Sequence, residues 1–328
     1  MTALEPVLEV RDLHVSFPVP TGTVQAVRGV SFTVSAGESL AVVGESGSGK
    51  SASMLAVLGL LPGAEVRGSV RYRGTELLGL SPARLREIRG ARIAMVFQDP
   101  MTSLNPVLTV GHQIAGVLRA HDRHLSKRAA HDRAVELLEL VAISQPERRV
   151  RAYPHELSGG MRQRVMIAMA VANGPELLIA DEPTTALDVT VQAQILELVD
   201  RLRREQHLAL ILITHDLGVV AGAAERVAIM YAGRVVEQGG LDAVFATPSH
   251  PYTRGLLACL PRLDRRQAPP RPIGGVPASP VNLPSGCPFH PRCPLAVDDC
   301  RVNEPLLVSV GATDVACSVV AGSARTVR

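Results

Sequence analysis

Four short apolar runs divide the first two-thirds of the chain. They lie at residues 40–43 (LAVV), 93–97 (IAMVF), 177–180 (LLIA) and 208–213 (LALILI). Such runs are typical of strands buried on both faces. Helical patterns separate them: residues 51–61 follow the first run, and Val191, Ile195 and Leu198 recur at helical spacing before the last one. This alternation predicts an α/β fold with a mainly parallel sheet.

Three other segments have their own patterns. Residues 81–145 are rich in Arg, Ala, His, Leu and Glu and contain few strand signals, so we expect a helical insertion there. Two β-like runs within 227–237 flank Ala232 and Gly233, which predicts a hairpin. Residues 260–294 contain ten prolines, which favours a semi-extended connector over a packed helix or sheet.

Composition narrows the class of protein. The 328 residues are 46% hydrophobic, enough for one large domain and a smaller one. A net charge of +3, with five Phe, four Tyr and no Trp, argues against nucleic-acid binding. The chain begins without a basic and apolar leader and has no run of about 18 apolar residues. We therefore expect no signal peptide, no membrane span and a chain made and kept in the cytoplasm.

A glycine-rich loop follows the first predicted strand and precedes a predicted helix. It consists of Gly44, Glu45, Ser46, Gly47, Ser48, Gly49, Lys50 and Ser51. The pattern is that of a phosphate-binding loop, in which glycines let backbone N–H groups converge on phosphate oxygens at a helix start. We expect Lys50 to neutralise the β- and γ-phosphates and Ser51 to bind Mg²⁺. A plain Gly/Ser-rich turn is the alternative, and the flanking strand and helix disfavour it.

Polar residues follow three of the predicted strands. Asp181 and Glu182 end an apolar strand, where Asp181 can hold Mg²⁺ through water and Glu182 can polarise the attacking water as a general base. His215 follows the next strand and is a candidate contact to the γ-phosphate, although a single His is more often structural or solvated. Gln98 follows the run at 93–97 and can sense Mg²⁺ and the attacking water. A pair of solvated acids is the alternative for Asp181 and Glu182.

The order of these elements resembles the nucleotide-binding domains of ABC transporters over residues 7–240. The elements are the phosphate loop, Gln98, LSGGMRQR at 157–164, Asp181 with Glu182, Ala186–Leu187–Asp188, and His215. The LSGGMRQR stretch is the most diagnostic, since a generic phosphate-loop enzyme lacks it. The resemblance implies a P-loop NTPase cassette over 1–240. Its RecA-like, mainly parallel core would carry an antiparallel β part and a helical subdomain at about 99–175.

The resemblance further implies two cassettes paired head to tail around two ATP molecules. The residues expected to act on the partner's ATP or at the interface are Ser158, Gly159, Gly160, Met161 and Asp188. A Ser-Gly-Gly helix start suits an anion. Met161 stands where the family usually has Gln, which weakens an expected ribose contact. Phe17 is the best match for the ring that stacks on adenine, with a plain core residue as the alternative.

The C-terminal part narrows the resemblance. HPYTRGLL at 250–257 and GCPFHPRCPLAVDDC at 286–300 resemble the region after the cassette in ATPase subunits of oligopeptide and dipeptide permeases. We therefore expect a C-terminal extension at 241–328 and an ATPase that energises import of dipeptides or oligopeptides from the cytoplasmic face of the inner membrane. The implied partners are a second, related ATPase in a heterodimer and two transmembrane permease subunits. An extracytoplasmic solute-binding protein would act indirectly, and no nucleic acid is implied.

Three alternatives to peptide import stay open at this point. Nickel and glutathione importers share the same branch of the family. A soluble, non-transport ABC ATPase is disfavoured because the chain has one cassette and no sustained heptads. A non-catalytic regulatory binding module is disfavoured because Glu182 and His215 are both present.

Four cysteines lie near the C-terminus. Cys287, Cys293, Cys300 and Cys317 have the spacing C-x5-C-x6-C-x16-C in a proline-rich tail, which favours a bound metal or cluster over disulfides. Paired C-x-x-C knuckles are missing, and the resemblance implies a structural [4Fe–4S] cluster. Zinc and unligated thiols are the alternatives, and His290 is a possible substitute ligand. Cys259, within an apolar run, is expected to be a buried thiol.

Overall fold

The computed structural model describes residues 6–20, 22–185, 187–260 and 272–325, with side chains up to 322. Within these residues the strands are β1 (Pro6–Val19), β2 (Gly22–Ser35), β3 (Ser39–Val43), β4 (Glu65–Tyr72), β5 (Thr75–Glu76), β6 (Ile93–Val96), β7 (Leu177–Asp181), β8 (Ala209–Thr214), β9 (Arg226–Tyr231), β10 (Arg234–Gly240), β11 (Val308–Val310) and β12 (Thr313–Val315). The helices are α1 (Lys50–Val57), α2 (Pro82–Ile88), α3 (Pro100–Ser103), α4 (Val110–His121), α5 (Lys127–Leu140), α6 (Pro146–Arg149), α7 (Gly159–Val171), α8 (Val189–Gln206), α9 (Leu217–Val220), α10 (Leu241–Ala246), α11 (Pro251–Ala258), α12 (Asp299–Val302) and α13 (Ser318–Arg325). Short 3-10 turns lie at Pro154–Glu156 and His290–Arg292.

The chain forms two compact units that interleave in sequence. The first comprises residues up to Leu8, Val34–Glu38 and Gly79–Leu212. The second comprises Glu9–Thr33, Ser39–Leu78 and the chain from Ile213 onward. Residues 241–260 and 272–325 thus belong to the same unit as the phosphate loop, while the boundary between 240 and 241 stays a prediction.

The first unit combines parallel strands with a group of helices. β6 pairs in parallel with β7, with Ile93 opposite Leu177, and β8 lies on the other side of β7. These strands begin and end within a residue of the predicted apolar runs. Helices α4, α5 and α7 fully bury Ile114, Leu137 and Ile167, which are among the largest buried side chains of the protein. The predicted α/β class is confirmed.

The second unit is built on mixed strand pairing. β3 runs parallel to β9, and β9 turns back into β10 through Ala232 and Gly233, both with positive φ (48° and 81°). The predicted hairpin is therefore confirmed, and its turn has the two left-handed residues that a tight hairpin requires. β12 pairs antiparallel with the outer edge of β10, and β11 pairs with β12. A further antiparallel sheet has the order β2-β1-β4-β5.

The core of this second unit includes residues from the part of the chain after Gly240, called here the C-terminal segment. Tyr252 and Phe289 pack in one buried cluster with Val43 of β3, and with Ile229 and Tyr231 of β9. Tyr252 has no exposed surface. The strand that leads into the phosphate loop is thus packed against residues that follow it by more than 200 positions.

The remaining predictions concern the connector and the membrane. Residues 272–294 contain a 3-10 turn and an isolated bridge between Ser279 and Asn282, in agreement with a connector of little regular structure; positions 261–271 lie outside the described residues. Over the described part of the chain, every helix is too short or too polar to cross a membrane.

Candidate active site

The phosphate loop connects β3 to α1 and lies close to neighbouring backbone. A Cβ added at Gly44 would lie 2.2 Å from the carbonyl oxygen of Met230. Gly49 has φ of 97°, and a Cβ there would lie 2.3 Å from the carbonyl oxygen of Ala26. Backbone cannot move aside as a flexible side chain can, so both positions require glycine.

The start of α1 offers polar groups to an anion. Gly49 occupies the N-cap position, and no side chain caps this helix. Lys50 is buried, and its Nζ donates to the carbonyl oxygens of Gly44 (2.7 Å) and Glu45 (3.0 Å). The buried Oγ of Ser48 has no hydrogen-bond partner among the described residues. An uncapped helix start, a lysine and an unpartnered hydroxyl fit a phosphate group.

The acid pair ends β7 in the first unit. Asp181 is buried, and Glu182 has φ of 46°, a left-handed conformation that costs energy for a residue with a Cβ. Gln98 Nε2 donates to Glu182 Oε2 at 3.0 Å, and Thr185 Oγ1 donates to the same oxygen at 2.9 Å. The structure therefore brings Gln98 and Glu182 together, and the two hydrogen bonds fix the orientation of the carboxylate.

The LSGGMRQR stretch forms the start of α7. Ser158 is the N-cap residue, and its side chain accepts a hydrogen bond from the Met161 N–H at 3.3 Å. A Cβ added at Gly160 would lie 2.6 Å from Val191 Cγ1, so the glycine allows α7 to pack closely against α8. Asp188 caps α8 by accepting from the Val191 N–H at 3.0 Å. Ala186, the first residue of the Ala186–Leu187–Asp188 element, lies outside the described residues.

Two predicted nucleotide contacts belong to the second unit. His215 directly follows β8 and is exposed. Phe17 lies on β1 and is half-buried, so its ring is not enclosed in the core. The roles assigned to these two residues stay predictions.

Two residues that contact the phosphate loop were not predicted from the sequence. Arg292 forms an ion pair with the Glu45 carboxylate, and the hydroxyl of Tyr252 accepts a hydrogen bond from the Glu45 N–H. One signal was available: an acidic residue in a loop meant for anions requires a nearby cation. The sequence offers no way to choose Arg292 from the other arginines.

The expectation of a [4Fe–4S] cluster is wrong. Within the described ranges, no group of three or more His, Cys, Asp or Glu side chains is arranged to hold a metal ion, which also removes the zinc alternative. The cysteines in question, Cys287, Cys293, Cys300 and Cys317, do line one small cavity. Burial raises the pKa of the Cys287 thiol to about 11 and raises the pKa of Cys293 as well.

Other contacts hold the cysteine-rich tail in place. Glu304 accepts hydrogen bonds from Arg28 Nη2 at 2.7 and 2.6 Å and forms an ion pair with Arg234 at 3.2 Å. His290 Nδ1 donates to the carbonyl oxygen of Cys287 at 2.9 Å, which gives this ring a structural role. Cys259 was expected to be a buried thiol, but it is only half-buried.

Comparisons with known families match both parts of the chain. The ABC transporter family matches residues 27–185. The family described as the C-terminal region of oligopeptide/dipeptide transporters matches residues 236–300.

Individual relatives are similar over most of this chain. The oligopeptide transport ATP-binding protein OppD of Mycobacterium tuberculosis is 57% identical over 313 residues, which cover 95% of the chain and 51% of the relative. The chain thus spans about half the length of that relative. The dipeptide transport ATP-binding protein DppD of Bacillus subtilis is 53% identical over 294 residues, covering 89% of the chain and 88% of the relative.

A solved structure is similar to the cassette part of the chain. It is a dimeric ATP-binding cassette in a post-hydrolysis state, bound to ADP and phosphate. The TM-score is 0.65 at 29% sequence identity, and the match covers 71% of this chain and 98% of the other.

Proposed function

Because the chain belongs to the family of ATP-binding proteins of oligopeptide and dipeptide ABC transporters, we propose that it hydrolyses ATP to drive the import of short peptides. The observation that carries this proposal is the phosphate loop. Gly44 and Gly49 lie against backbone, the start of α1 has no side-chain cap, and Lys50 is buried at the same place. These features suit a nucleoside triphosphate better than a neutral ligand.

We infer the following roles in hydrolysis for residues of the phosphate loop and of the acid pair. Lys50 would neutralise the phosphates, and Glu182 would act as the general base that polarises the attacking water. Hydrogen bonds from Gln98 and Thr185 hold the Glu182 carboxylate in one orientation, which supports this role. The side-chain oxygens of Ser51, Gln98 and Asp181 suit Mg²⁺, which would offset the negative charge of the phosphates. His215 would contact the γ-phosphate, and Phe17 would stack on adenine.

A paired arrangement supplies the remaining contacts. The similar solved cassette is dimeric, and the start of α7 is exposed at Ser158 and Gly159. We propose that Ser158, Gly159, Gly160 and Met161 of each cassette face the ATP on a second, related ATPase subunit, with Asp188 at the same interface. The second ATPase would be a different chain, giving a heterodimer.

Transport requires further partners. The names of the similar proteins from Mycobacterium tuberculosis and Bacillus subtilis state oligopeptide and dipeptide transport. We propose that two transmembrane permease subunits bind this chain at the cytoplasmic face of the membrane. A solute-binding protein on the other side would deliver the peptide.

The test uses the complex with its permease subunits in proteoliposomes. Glu182→Gln should retain ATP binding but lower steady-state hydrolysis and peptide uptake by about 100-fold or more, because the general base is lost. Lys50→Ala should lose ATP binding itself. Glu205→Gln, at an exposed position near the end of α8, is the matched control and should resemble the unmodified protein. Hydrolysis that survives in Glu182→Gln would contradict the assignment of the base.

A further inference from the structure

We propose that two positioning residues of the C-terminal segment prepare Glu45 of the phosphate loop for ATP: Arg292 holds and neutralises the Glu45 carboxylate, and Tyr252 holds the Glu45 N–H. The inference rests on the proposed function, since it takes residues 44–51 to bind the phosphates. It gives the segment from 250 to 292 a direct role in nucleotide affinity. The three residues all lie in the second unit.

The side chain of Glu45 is held by a two-pronged ion pair. Arg292 Nη1 lies 2.7 Å from Glu45 Oε2, and Arg292 Nη2 lies 3.0 Å from Glu45 Oε1. The Arg292 side chain is only 3% exposed. Such parallel hydrogen bonds fix both distance and plane, and burial protects the pair from solvent screening.

The backbone of Glu45 is held separately. Its N–H donates to the hydroxyl of the fully buried Tyr252 at 2.9 Å, while its carbonyl oxygen accepts from Lys50 Nζ at 3.0 Å. The residue that follows the first glycine of the loop is therefore fixed at its side chain, its N–H and its carbonyl. Two of these three contacts come from the C-terminal segment.

Arg292 is itself fixed by aromatic rings and by backbone. Its guanidinium carbon lies 5.9 Å from the ring centroids of both Tyr231 and Phe289. Its Nε donates to the carbonyl oxygen of Gly274 at 2.9 Å. The guanidinium of Arg292 is therefore buried and held by two rings and one carbonyl oxygen, so its own position is fixed and it can orient Glu45.

Charge explains why the pair matters for ATP. An unpaired carboxylate at position 45 would repel the phosphates, and Arg292 removes that repulsion. This effect predicts an asymmetry between the two partners. Loss of Arg292 should weaken ATP binding because it leaves the acid unpaired, and subsequent removal of the acid charge should restore it.

The experiment is a double-mutant cycle on the full chain, read as the dissociation constant of a fluorescent ATP analogue. We expect Arg292→Gln to weaken binding by about 10-fold and the Glu45→Gln/Arg292→Gln double variant to return to within about 3-fold of the unmodified protein. In the assembled transporter, Arg292→Gln should raise KM for ATP while kcat changes less than about 2-fold. Tyr252→Phe, which removes only the hydroxyl, should weaken binding by about 3-fold.

The matched control is Arg301→Gln on the same tail, where the side chain is 69% exposed and its ion pair with Asp298 is long at 3.9 Å. This control should bind the analogue normally. A double variant as weak as Arg292→Gln alone would overturn the inference, because a purely structural arginine is not rescued by neutralising its partner. If Arg292→Gln does not fold, Arg292→Lys serves instead. It keeps the charge that offsets Glu45 and loses only the fork, so it should bind the analogue within about 3-fold of the unmodified protein, and a loss of about 10-fold would also overturn the inference.

Lys50→Ala separates the two levels of the proposal. If Lys50→Ala binds the analogue normally, the proposed function itself fails. If Lys50→Ala loses binding while Arg292→Gln equals Arg301→Gln, only the role of Arg292 fails.

Discussion

Helices α1 and α7 both have glycine at their starts, Gly49 for α1 and Gly159 with Gly160 for α7, and both are assigned to phosphate groups, but they are built differently. The start of α1 has no side-chain cap, and Gly49 there lies against the backbone of Ala26. The start of α7 is capped by Ser158, and Gly160 lies against the side chain of Val191. The first lacks a side-chain cap and lies against backbone, whereas the second has a serine cap on one of its own N–H donors and packs against a side chain that can be changed.

The difference indicates how each turn tolerates substitution. Crowding by backbone cannot be relieved by a second mutation, whereas crowding by one valine methyl can. A cap supplied by the helix's own serine also makes α7 stable without a ligand. We therefore expect substitutions at the start of α1 to weaken ATP binding. Substitutions at the start of α7 should mainly lower the free energy of unfolding.

The largest expected effect is at the α1 turn. Gly49→Ala combines left-handed backbone strain with a Cβ only 2.3 Å from a carbonyl oxygen. It should weaken the free energy of ATP-analogue binding by roughly 3–5 kcal/mol. Gly47→Ala is the control, because Gly47 also has positive φ (78°) but has nothing within 4 Å of the added Cβ. It should cost about 1 kcal/mol, from strain alone. Equal effects at the two positions would show that backbone crowding is not what distinguishes this turn.

The second prediction uses pH to perturb His250, which supports Tyr252 and through it the phosphate loop. His250 is 1% exposed, and burial lowers its pKa from 6.5 to about 4. Its Nδ1 accepts from the Tyr252 N–H at 3.0 Å, so the folded protein requires the neutral ring. The buried Glu237 carboxylate accepts from the His250 N–H (2.9 Å), and the charge of Arg254 disfavours protonation of the ring further.

The sign follows from these pKa values. Between pH 6.5 and 4 the unfolded chain binds a proton at residue 250 that the folded chain does not, so the free energy of unfolding should fall as the pH falls. The loss should reach roughly 3 kcal/mol near pH 4. Urea unfolding at several pH values measures it. His250→Asn keeps an N-cap acceptor and should flatten this part of the pH dependence; an unchanged slope would contradict the prediction.

A third prediction tests the side-chain crowding at α7. Gly160→Ala should lower the free energy of unfolding by about 1–3 kcal/mol, because the new methyl meets Val191 Cγ1. Adding Val191→Ala should recover most of the loss. Gly159→Ala is the control, since its Cβ would meet only Leu187 Cδ2 at an ordinary 3.4 Å. Thermal unfolding of the unmodified protein and these three variants measures the changes, and the idea fails if Val191→Ala gives no recovery.

The smallest effect concerns the cap of α7. Ser158→Ala removes the acceptor for the Met161 N–H and should cost about 1 kcal/mol of stability. Ser158→Asp keeps an acceptor and should restore the stability. Because Asp carries a negative charge, it should still lower ATPase activity if Ser158 faces a phosphate. Calorimetric unfolding together with ATPase rates separates the two roles.

Much of the secondary structure could be predicted from local sequence patterns. The strand before Gly44 and the helix after Gly49 were predictable because an apolar run, a glycine-rich turn and a helical period come in order. The hairpin at Ala232 and Gly233 was predictable because its turn chemistry is local. The proximity of Gln98 to Glu182 was anticipated only as a shared role, and the structure adds the hydrogen bond between them.

Long-range and environmental properties were not predictable. The pairing of Arg292 with Glu45 joins residues separated by 247 positions, and no periodicity connects them. Strands β1 and β2 alternate irregularly between buried and half-buried positions, so period-2 patterning was weak. The metal cluster was wrongly predicted because the spacing of cysteines along the chain does not fix how their side chains are arranged in space, and no group that could hold a metal ion forms among the described residues.

The contact between Glu45 and Arg292 also sets an order of events during synthesis. Glu45 leaves the ribosome 207 residues before Tyr252 and 247 residues before Arg292. At ordinary elongation rates the interval before Arg292 is roughly 10–50 s. During that time the phosphate loop lacks its contacts with Tyr252 and Arg292. These contacts to Glu45 therefore form only late in the synthesis of the chain. If Arg292 and Tyr252 act as proposed, full ATP affinity requires that the C-terminal segment has been made and folded.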